Sequence, residues 1–518
     1  MSERTQDWQQ KLRGEPPIEN GFTSQVERKV RERIRMKTKE RRAPLRMVAA
    51  AMSIAVIAGG GWWFKDDLQG WMAREATTDV PAALRNDPLA DTAVELKVQQ
   101  DSMSSFLFDN YGKKMFIIRH PSVSFQTLTP PPMDASGDMA QWTQAFETWM
   151  DQARPDVLQL PYNMYVELAA KGKLLSLESR IQSANIDLDV YYKPITELLR
   201  LGGGGELYGL SARFDTSVVY INRKLFESRS VALPAEDGMT VDEILATAAR
   251  FAGTGAAGLY GQSGNQTYRI VNFMGETSGL QSVVYQDGAW RATVGTEGWQ
   301  NIWRKMAEGS KTGWLQHAKP LGSSYTYDDR MKQDAFAQGN AAMTIGGAAY
   351  AHMLEDYKSL GRIQDDWMAV PIKPADGAPN QDSFLMPGTV YAVNAASSNQ
   401  EAAWEVVKFM AGREFGKKLM SPEILSDTVS SRLDVQSAAE QRRWQAFYAG
   451  TMEPAQAYKQ LTAAKPGYWS ATGVLAEAGA KYMKAVTDGG STEAEALERM
   501  QAELDKTLPY VGLEVPDQ

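Results

Sequence analysis

Cysteine is absent from the 518 residues. That excludes disulfides, thiolate metal sites, a cysteine nucleophile and a lipid-modified N-terminal cysteine. Histidine is scarce: His120, His317 and His352 are the whole complement. No two of them stand four residues apart, so a helical His–His metal pair is excluded. Each isolated imidazole reads as structural, because none has a partner in the pattern. The formal net charge of -8 offers no broad polyanion-binding surface, so nucleic acid is not an expected partner.

What is present begins with an uneven charge distribution. Residues 1–46 carry 13 Lys and Arg against 7 Asp and Glu. This basic stretch ends at "MVAAAMSIAVIAGGGWWF", residues 47–64, which contains no charge. A run of that length matches a hydrocarbon core about 30 Å thick at a helical rise of about 1.5 Å per residue. Arg41, Arg42 and Arg46 precede it, and Asp66 and Asp67 follow Lys65. The positive-inside rule puts the N-terminus in the cytoplasm and Trp62 and Trp63 at the outer interface. A cleaved signal peptide and a buried soluble helix are the alternatives. The long basic segment upstream and the lack of an A-x-A site favour an uncleaved single-pass anchor. The expected organisation is therefore a cytoplasmic tail over 1–46, a transmembrane helix over 47–64, a linker over 65–92 and an extracytoplasmic portion over 93–518. Residues 24–42 are helix-prone and basic, as suits a helix held near anionic headgroups; a docking segment for a regulator is the other reading.

From Ala93 strand-like and helix-like stretches alternate. "AVELKVQQ", "SVSFQTL" and "DVLQL" read as strands, with "DMAQWTQAFETWMDQA" a helix between the last two. "TVDEILATAARFA" reads as a helix, and "AAMTI", "DWMAVPI" and "TVYAV" as strands. The C-terminal third is mainly helical. This order predicts an α/β fold with ligands at the carboxyl ends of strands. "GTGAAG", residues 253–258, matches a dinucleotide fingerprint literally, but a helix precedes it and a strand follows, which is the wrong order. "GGGG", residues 202–205, lacks the lysine of a phosphate loop and reads as a surface turn. "GQSGN" is not a nucleophile elbow.

Four stretches in order resemble the extracytoplasmic solute-binding proteins of the maltose-binding family, the receptors of ABC importers. They are "PDVLQLPYNMYVELAAKGKLLSLESRI", "LYGLSARFDTSVVYINRKLFE", "AFAQGNAAMTIGG" and "YAVNAASSNQEAAWEVVKFMAG". The likeness runs over roughly residues 93–510. It implies a two-lobe periplasmic-binding-protein-like fold of type II, preceded here by a single transmembrane helix. The ligand would lie between lobes that close by hinge bending. Lobe 1 is expected over about 93–217 and 330–390, and lobe 2 over about 218–329 and 391–518.

The resemblance implies a non-catalytic receptor for a small solute, with a sugar or oligosaccharide foremost, no cofactor, and ABC permease subunits as partners. Asp215 falls where the family often places an acidic ligand contact. Arg213 lies two residues earlier, so an extended chain points both side chains the same way. A carboxylate accepts hydrogen bonds from sugar hydroxyls and a guanidinium donates them. By position in the family, Asp101, Asn163, Gly347, Tyr350, Tyr468 and Trp469 are the other expected ligand contacts. Aromatic faces stack on the apolar C–H patches of sugars. Tyr350 departs from the pattern, because the family often has Trp nearer the glycine turn. The basic tail also departs from it, and leaves a ligand-sensing membrane protein that signals inward as an alternative. A glycan-active enzyme and a structural protein are further alternatives.

Overall fold

The computed structural model describes residues 87–511 except 91–92, 101–104, 133–138, 263–266, 320–324, 364–366, 374–385, 422–423, 425–427, 437–443, 450–453, 456 and 459–466. The expected tail, the apolar run 47–64 and Asp101 lie outside the described residues. Among the described residues no helix is long and apolar enough to cross a membrane.

Sixteen strands follow one another in this part of the chain: β1 (Val94–Gln99), β2 (Val123–Leu128), β3 (Val157–Leu160), β4 (Gly209–Ser211), β5 (Arg213–Asp215), β6 (Val218–Asn222), β7 (Met239–Thr240), β8 (Ala257–Gly261), β9 (Val283–Gln286), β10 (Ala289–Ala292), β11 (Leu315–His317), β12 (Ala341–Gly346), β13 (Trp367–Lys373), β14 (Met386–Pro387), β15 (Val390–Val393) and β16 (Thr428–Ser430). The helices that matter for the argument are α1 (Tyr162–Ala170), α2 (Val241–Ala249), α3 (Thr267–Thr277), α4 (Glu297–Thr312), α5 (Ala348–Ser359), α6 (Gln400–Met410), α7 (Tyr468–Thr487) and α8 (Glu493–Thr507).

Two sheets define two lobes. The first has the order β2-β1-β3-β15-β4 and the second β11-β8-β12-β6-β13-β7. In each sheet one strand runs against the rest. It is β15 in the first and β6 in the second. Both are the strands by which the chain enters that sheet from the other lobe. The crossing segments themselves pair: β14 and β16 flank β5 in a three-stranded sheet of their own.

The sheet membership differs from the expected division between lobes. The stretch 330–390, expected in lobe 1, contains β12 and β13, which belong to the second sheet. The stretch after 390 is expected in lobe 2, yet β15 lies within the first sheet and α6 packs against β15 and β1. Strand pairing across hundreds of residues leaves no local trace in the sequence. The last helices, α7 and α8, do pack on lobe 2, against each other and against α4.

Local chemistry accounts for the elements. All four residues of β3 are buried, as for a strand covered on both faces. Helix α2 starts at a capping box, Thr240 with Glu243, and buries Val241, Ile244, Leu245 and Ala248 along one face. A side-chain Cβ at Gly258 in β8 would lie 2.1 Å from the Ala248 carbonyl oxygen. The last glycine of "GTGAAG" is therefore where helix and strand approach closely, and its role is packing, in agreement with rejection of that motif. In α4, Trp299 and Trp303 are 1% exposed and anchor the lobe 2 core. Full burial of such a side chain is worth about 1.5–3 kcal/mol.

Candidate functional site

In an α/β sheet the carboxyl ends of the parallel strands form the ligand edge. In lobe 1 that edge is set by Gln99, Leu128, Leu160 and Ser211, the last residues of β1, β2, β3 and β4. Val390, the first residue of β15, pairs with both Leu160 and Ser211, so Thr389 stands at this edge. In lobe 2 the edge is set by Gly261, His317 and Gly346. Val218, the first residue of β6, pairs with Gly346 and Pro371. Strand β5 joins Ser211 at one edge to Val218 at the other. The strand that carries Arg213 and Asp215 thus connects the ligand edges of both lobes.

Strand β5 is extended, and its three residues alternate in burial. Phe214 is fully buried, stacked on Tyr192 at 4.8 Å and edge-on to Tyr448 at 5.4 Å. Arg213 and Asp215 are half-buried on the other face, as the sequence reading expected of an extended chain. The Arg213 stem lies against Gly388, where a Cβ would come within 2.6 Å of Arg213 Cγ. Its Nη2 donates to Thr389 Oγ1 at 3.3 Å. Ser211 Oγ donates to the Arg213 carbonyl at 2.7 Å and fixes the start of the strand.

Sequence reasoning missed several polar neighbours. Asp109 lies in a π-helical turn, Phe108–Gly112, a form that recurs at functional sites. Gln100 Nε2 donates to Asp109 Oδ2 at 3.2 Å. The Tyr391 phenol is pushed up by burial; the Arg213 guanidinium draws it down and Asp109 pushes it further up. Beside Tyr391, which pairs with Gln159, the Gln159 backbone N–H donates to Gln99 Oε1 at 2.6 Å and the Gln159 side-chain amide donates to the Gln99 backbone carbonyl at 3.0 Å, both side chains being buried. Only "PGT" at Pro387–Thr389 could have pointed here, as a turn before a strand. Asp109 sits in a helical pattern and carries no local signal.

Asn163 is the second residue of α1, directly after β3, and is half-buried. Helix α1 has no side-chain cap at its N-cap, Pro161. Gly347 is the N-cap of α5, directly after β12, and also supplies no side-chain cap. Both helices therefore offer backbone N–H groups at a ligand edge, which suits ligand oxygens. The Gly347 carbonyl accepts from the Tyr220 hydroxyl at 2.7 Å.

The expected aromatic contacts are placed differently. Tyr350 is 4% exposed and donates to Asp334 Oδ1 at 2.9 Å. Its ring meets Tyr220 at 5.0 Å and Phe336 at 6.0 Å. Tyr468 opens α7 and lies 5.7 Å from the Trp290 ring. Gly479, three turns along α7, faces the ring of Tyr268 at the start of α3. Helix α7 thus runs against α3 and carries Tyr468 toward the end of α3 remote from β8. Trp469 is the second residue of α7. The structure therefore brings Asn163, Arg213, Asp215 and Gly347 to the ligand edges, and does not bring Tyr468 there.

Two α/β lobes are joined by paired crossing strands, one of which carries Arg213 and Asp215 between their ligand edges, and this is the architecture of a two-lobe solute-binding protein. The family model of the bacterial extracellular solute-binding proteins matches residues 131–417, more than half of the chain, and the chain belongs to that family. Several solved structures are similar to the chain. One is an extracellular solute-binding protein of family 1 from Alicyclobacillus acidocaldarius, at 16% identity and a TM-score of 0.52, covering 80% of this chain and 99% of that one. A sugar transporter from Rhizobium etli in an open conformation has 19% identity and a TM-score of 0.49, covering 80% of this chain and all of that one. Maltose-bound MalE3 of T. maritima has 15% identity and a TM-score of 0.49, with the same coverage. No curated protein matches the chain.

Proposed function

We propose that the chain is an extracytoplasmic receptor that captures a neutral sugar or oligosaccharide for an ABC importer and performs no catalysis. The observation that carries this reading is the position of Arg213 and Asp215 on one face of the crossing strand, between both ligand edges. A carboxylate, a guanidinium, amides and uncapped helix N-termini supply donors and acceptors, as a polyhydroxylated ligand needs. Asn163 would add a lobe 1 contact and Gly347 a lobe 2 contact, and Asp101, which lies outside the described residues, is proposed as a further lobe 1 contact from its position in the family alone.

A thermal-shift screen of sugars, peptides and polyamines on the full chain tests this. A sugar at about 100 times its Kd should stabilise the protein by about 2.7 kcal/mol. Asp215→Ala should weaken that sugar's binding by about 1.5–3 kcal/mol, roughly ten- to a hundred-fold, as for a lost hydrogen bond to a charged group. Equal affinities in calorimetric titration would show that Asp215 has no ligand role. Stabilisation by peptides or polyamines alone, or steady turnover of a bound sugar, would overturn the reading.

The anchor belongs to the same proposal. With no cysteine for a lipid, residues 47–64 would hold the receptor at the membrane, with 1–46 inside. Protease added to intact protoplasts should remove the outer part and spare the tail. A mature soluble form starting after residue 70 would refute it. The basic tail also favours a second reading, a sensor that signals inward. Deletion would then change gene expression while uptake stayed normal.

A further inference from the structure

The chain has no cysteine and 24 methionines, so thioethers are its only oxidisable sulfur. Those in the cores are shielded: Met164, Met343, Met410 and Met500 are 0% exposed. Met386 is 44% exposed, the most open methionine among the described side chains. Its place in the sheet accounts for this. Strand β14 is an outer strand of the crossing sheet β14-β5-β16, and Met386 stands opposite Asp215. Residues paired directly across an antiparallel sheet project from the same face, with Cβ atoms about 4.5–5.5 Å apart. Met386 therefore shares the face of Arg213 and Asp215, whereas Pro387 pairs with Phe214 and is buried like it. Gly388, two residues on, lies against the Arg213 stem and has no side chain to screen the thioether.

The susceptibility of a thioether to oxidants follows its exposure. We propose that Met386 is a peroxide-sensitive modification site on the ligand face of the crossing sheet, and that its oxidation lowers ligand affinity. In the step, a lone pair of the thioether sulfur takes one oxygen from the peroxide. An S–O bond forms and the O–O bond breaks. The proton of the transferred oxygen passes to the leaving oxygen, so sulfur is oxidised by two electrons and hydrogen peroxide is reduced to water. An apolar side chain becomes a polar, chiral sulfoxide. Unmodified, the thioether offers a soft apolar surface to the C–H patches of a sugar, beside the hydroxyl-binding Asp215. The sulfoxide oxygen only accepts hydrogen bonds, and it stands next to a carboxylate that also only accepts. A ligand seated for the thioether leaves that oxygen without a donor, which costs affinity. Methionine sulfoxide reductases reverse the change. The effect on affinity rests on the receptor reading above; the reactivity of Met386 does not.

The test is limited oxidation of the full chain with hydrogen peroxide, read by peptide mass spectrometry and by calorimetric titration with glucose, maltose and maltotriose. Met386 should gain its oxygen roughly tenfold faster than the buried Met164 and Met343. The treated wild type should bind these sugars roughly tenfold more weakly than the untreated protein, as for one polar group left unpaired. Treatment with methionine sulfoxide reductase should restore the affinity. Met386→Leu, titrated before and after peroxide, should show the same affinity both times. Met386→Gln, polar and without sulfur, should bind as weakly as the treated wild type. Equal oxidation rates at Met386, Met164 and Met343 overturn the reactive site. An unchanged affinity in the treated wild type, or an equal fall in treated Met386→Leu, overturns its role in binding. A wild type that binds none of the three sugars overturns the effect on affinity, and a sugar-negative thermal screen separately overturns the receptor reading. The oxidation rates decide the reactive site in either case.

Discussion

Phe214→Ala is expected to destabilise the protein by about 3–5 kcal/mol, the range for a large buried aromatic cut to alanine. The ring is fully buried and sits where separate segments meet. Tyr192 stacks on it at 4.8 Å with planes 29° apart, and Tyr448 meets it edge-on. Pro387 of β14 and Val429 of β16 are its partners across the crossing sheet. The Tyr448 hydroxyl is itself held by the Ser430 carbonyl at 2.7 Å, so one wall of the cavity cannot fold inward without breaking that bond. Poor collapse puts the cost at the upper end of the range. Phe214→Leu should cost clearly less, since it refills most of the volume. Urea unfolding of the three proteins measures this. A Phe214→Ala variant within about 1 kcal/mol of wild type would show that the crossing sheet does not depend on the ring. Because Arg213 and Asp215 flank it on the same strand, the variant should also bind ligand more weakly at temperatures where it remains folded.

Much of the fold was legible because its signals are local. β1, β2, β3, β12, β13 and β15 fall on stretches read as strands from alternation or apolar runs, and α2 starts at the Thr240 cap. The order of helices and strands was enough for the α/β class. The assignment of β12, β13 and β15 to lobes was not legible, since it depends on which strand pairs with which. The site divides in the same way. Arg213 and Asp215 could be found because a short extended segment determines which side chains share a face. Thr389 could not, because it meets Arg213 only through the pairing of β15 with β3 and β4, and Asp109 could not, because it stands in a π-helical turn that carries no local signal. The aromatic expectations depended on position in the family alone. Tyr350 is held in the core by Asp334, and Tyr468 is carried off by the direction of α7. His317 was read as structural, since one imidazole in a sequence has no visible neighbour; its seat on Gly261 exists only in the folded sheet.

Acid should weaken the fold through His352. This residue lies in α5, is 1% exposed and packs at a tilt against Trp444, with ring centroids 4.8 Å apart. Its Nε2 is buried and has no hydrogen-bond partner among the described residues. Burial lowers its pKa from 6.5 to about 4. Above pH 6.5 the ring is neutral in both folded and unfolded chains and contributes nothing to pH dependence. As pH falls through 6.5 the unfolded chain takes up a proton that the folded chain refuses. Stability then drops by about 1.4 kcal/mol per pH unit until the folded ring also protonates near pH 4. The expected loss from this one group is about 2 kcal/mol by pH 5 and about 3 kcal/mol below pH 4. His317 is lowered in the same direction, so the total slope in wild type is steeper than one histidine gives. His352→Phe isolates the term, because His317 and the His120–Asp87 pair remain in both proteins. Unfolding free energies of wild type and variant, measured from pH 7.5 to 4.5, should converge or cross in favour of the variant as the solution is acidified. Parallel profiles would mean that His352 finds a proton-accepting environment in the folded state after all. Gly347 is the N-cap of α5, so the turn that presents backbone N–H groups to the ligand edge lies just before the turn that carries the buried ring. Because the folded ring stays neutral until near pH 4, ligand affinity of the folded wild type should hold between pH 7.5 and 5 and match that of His352→Phe.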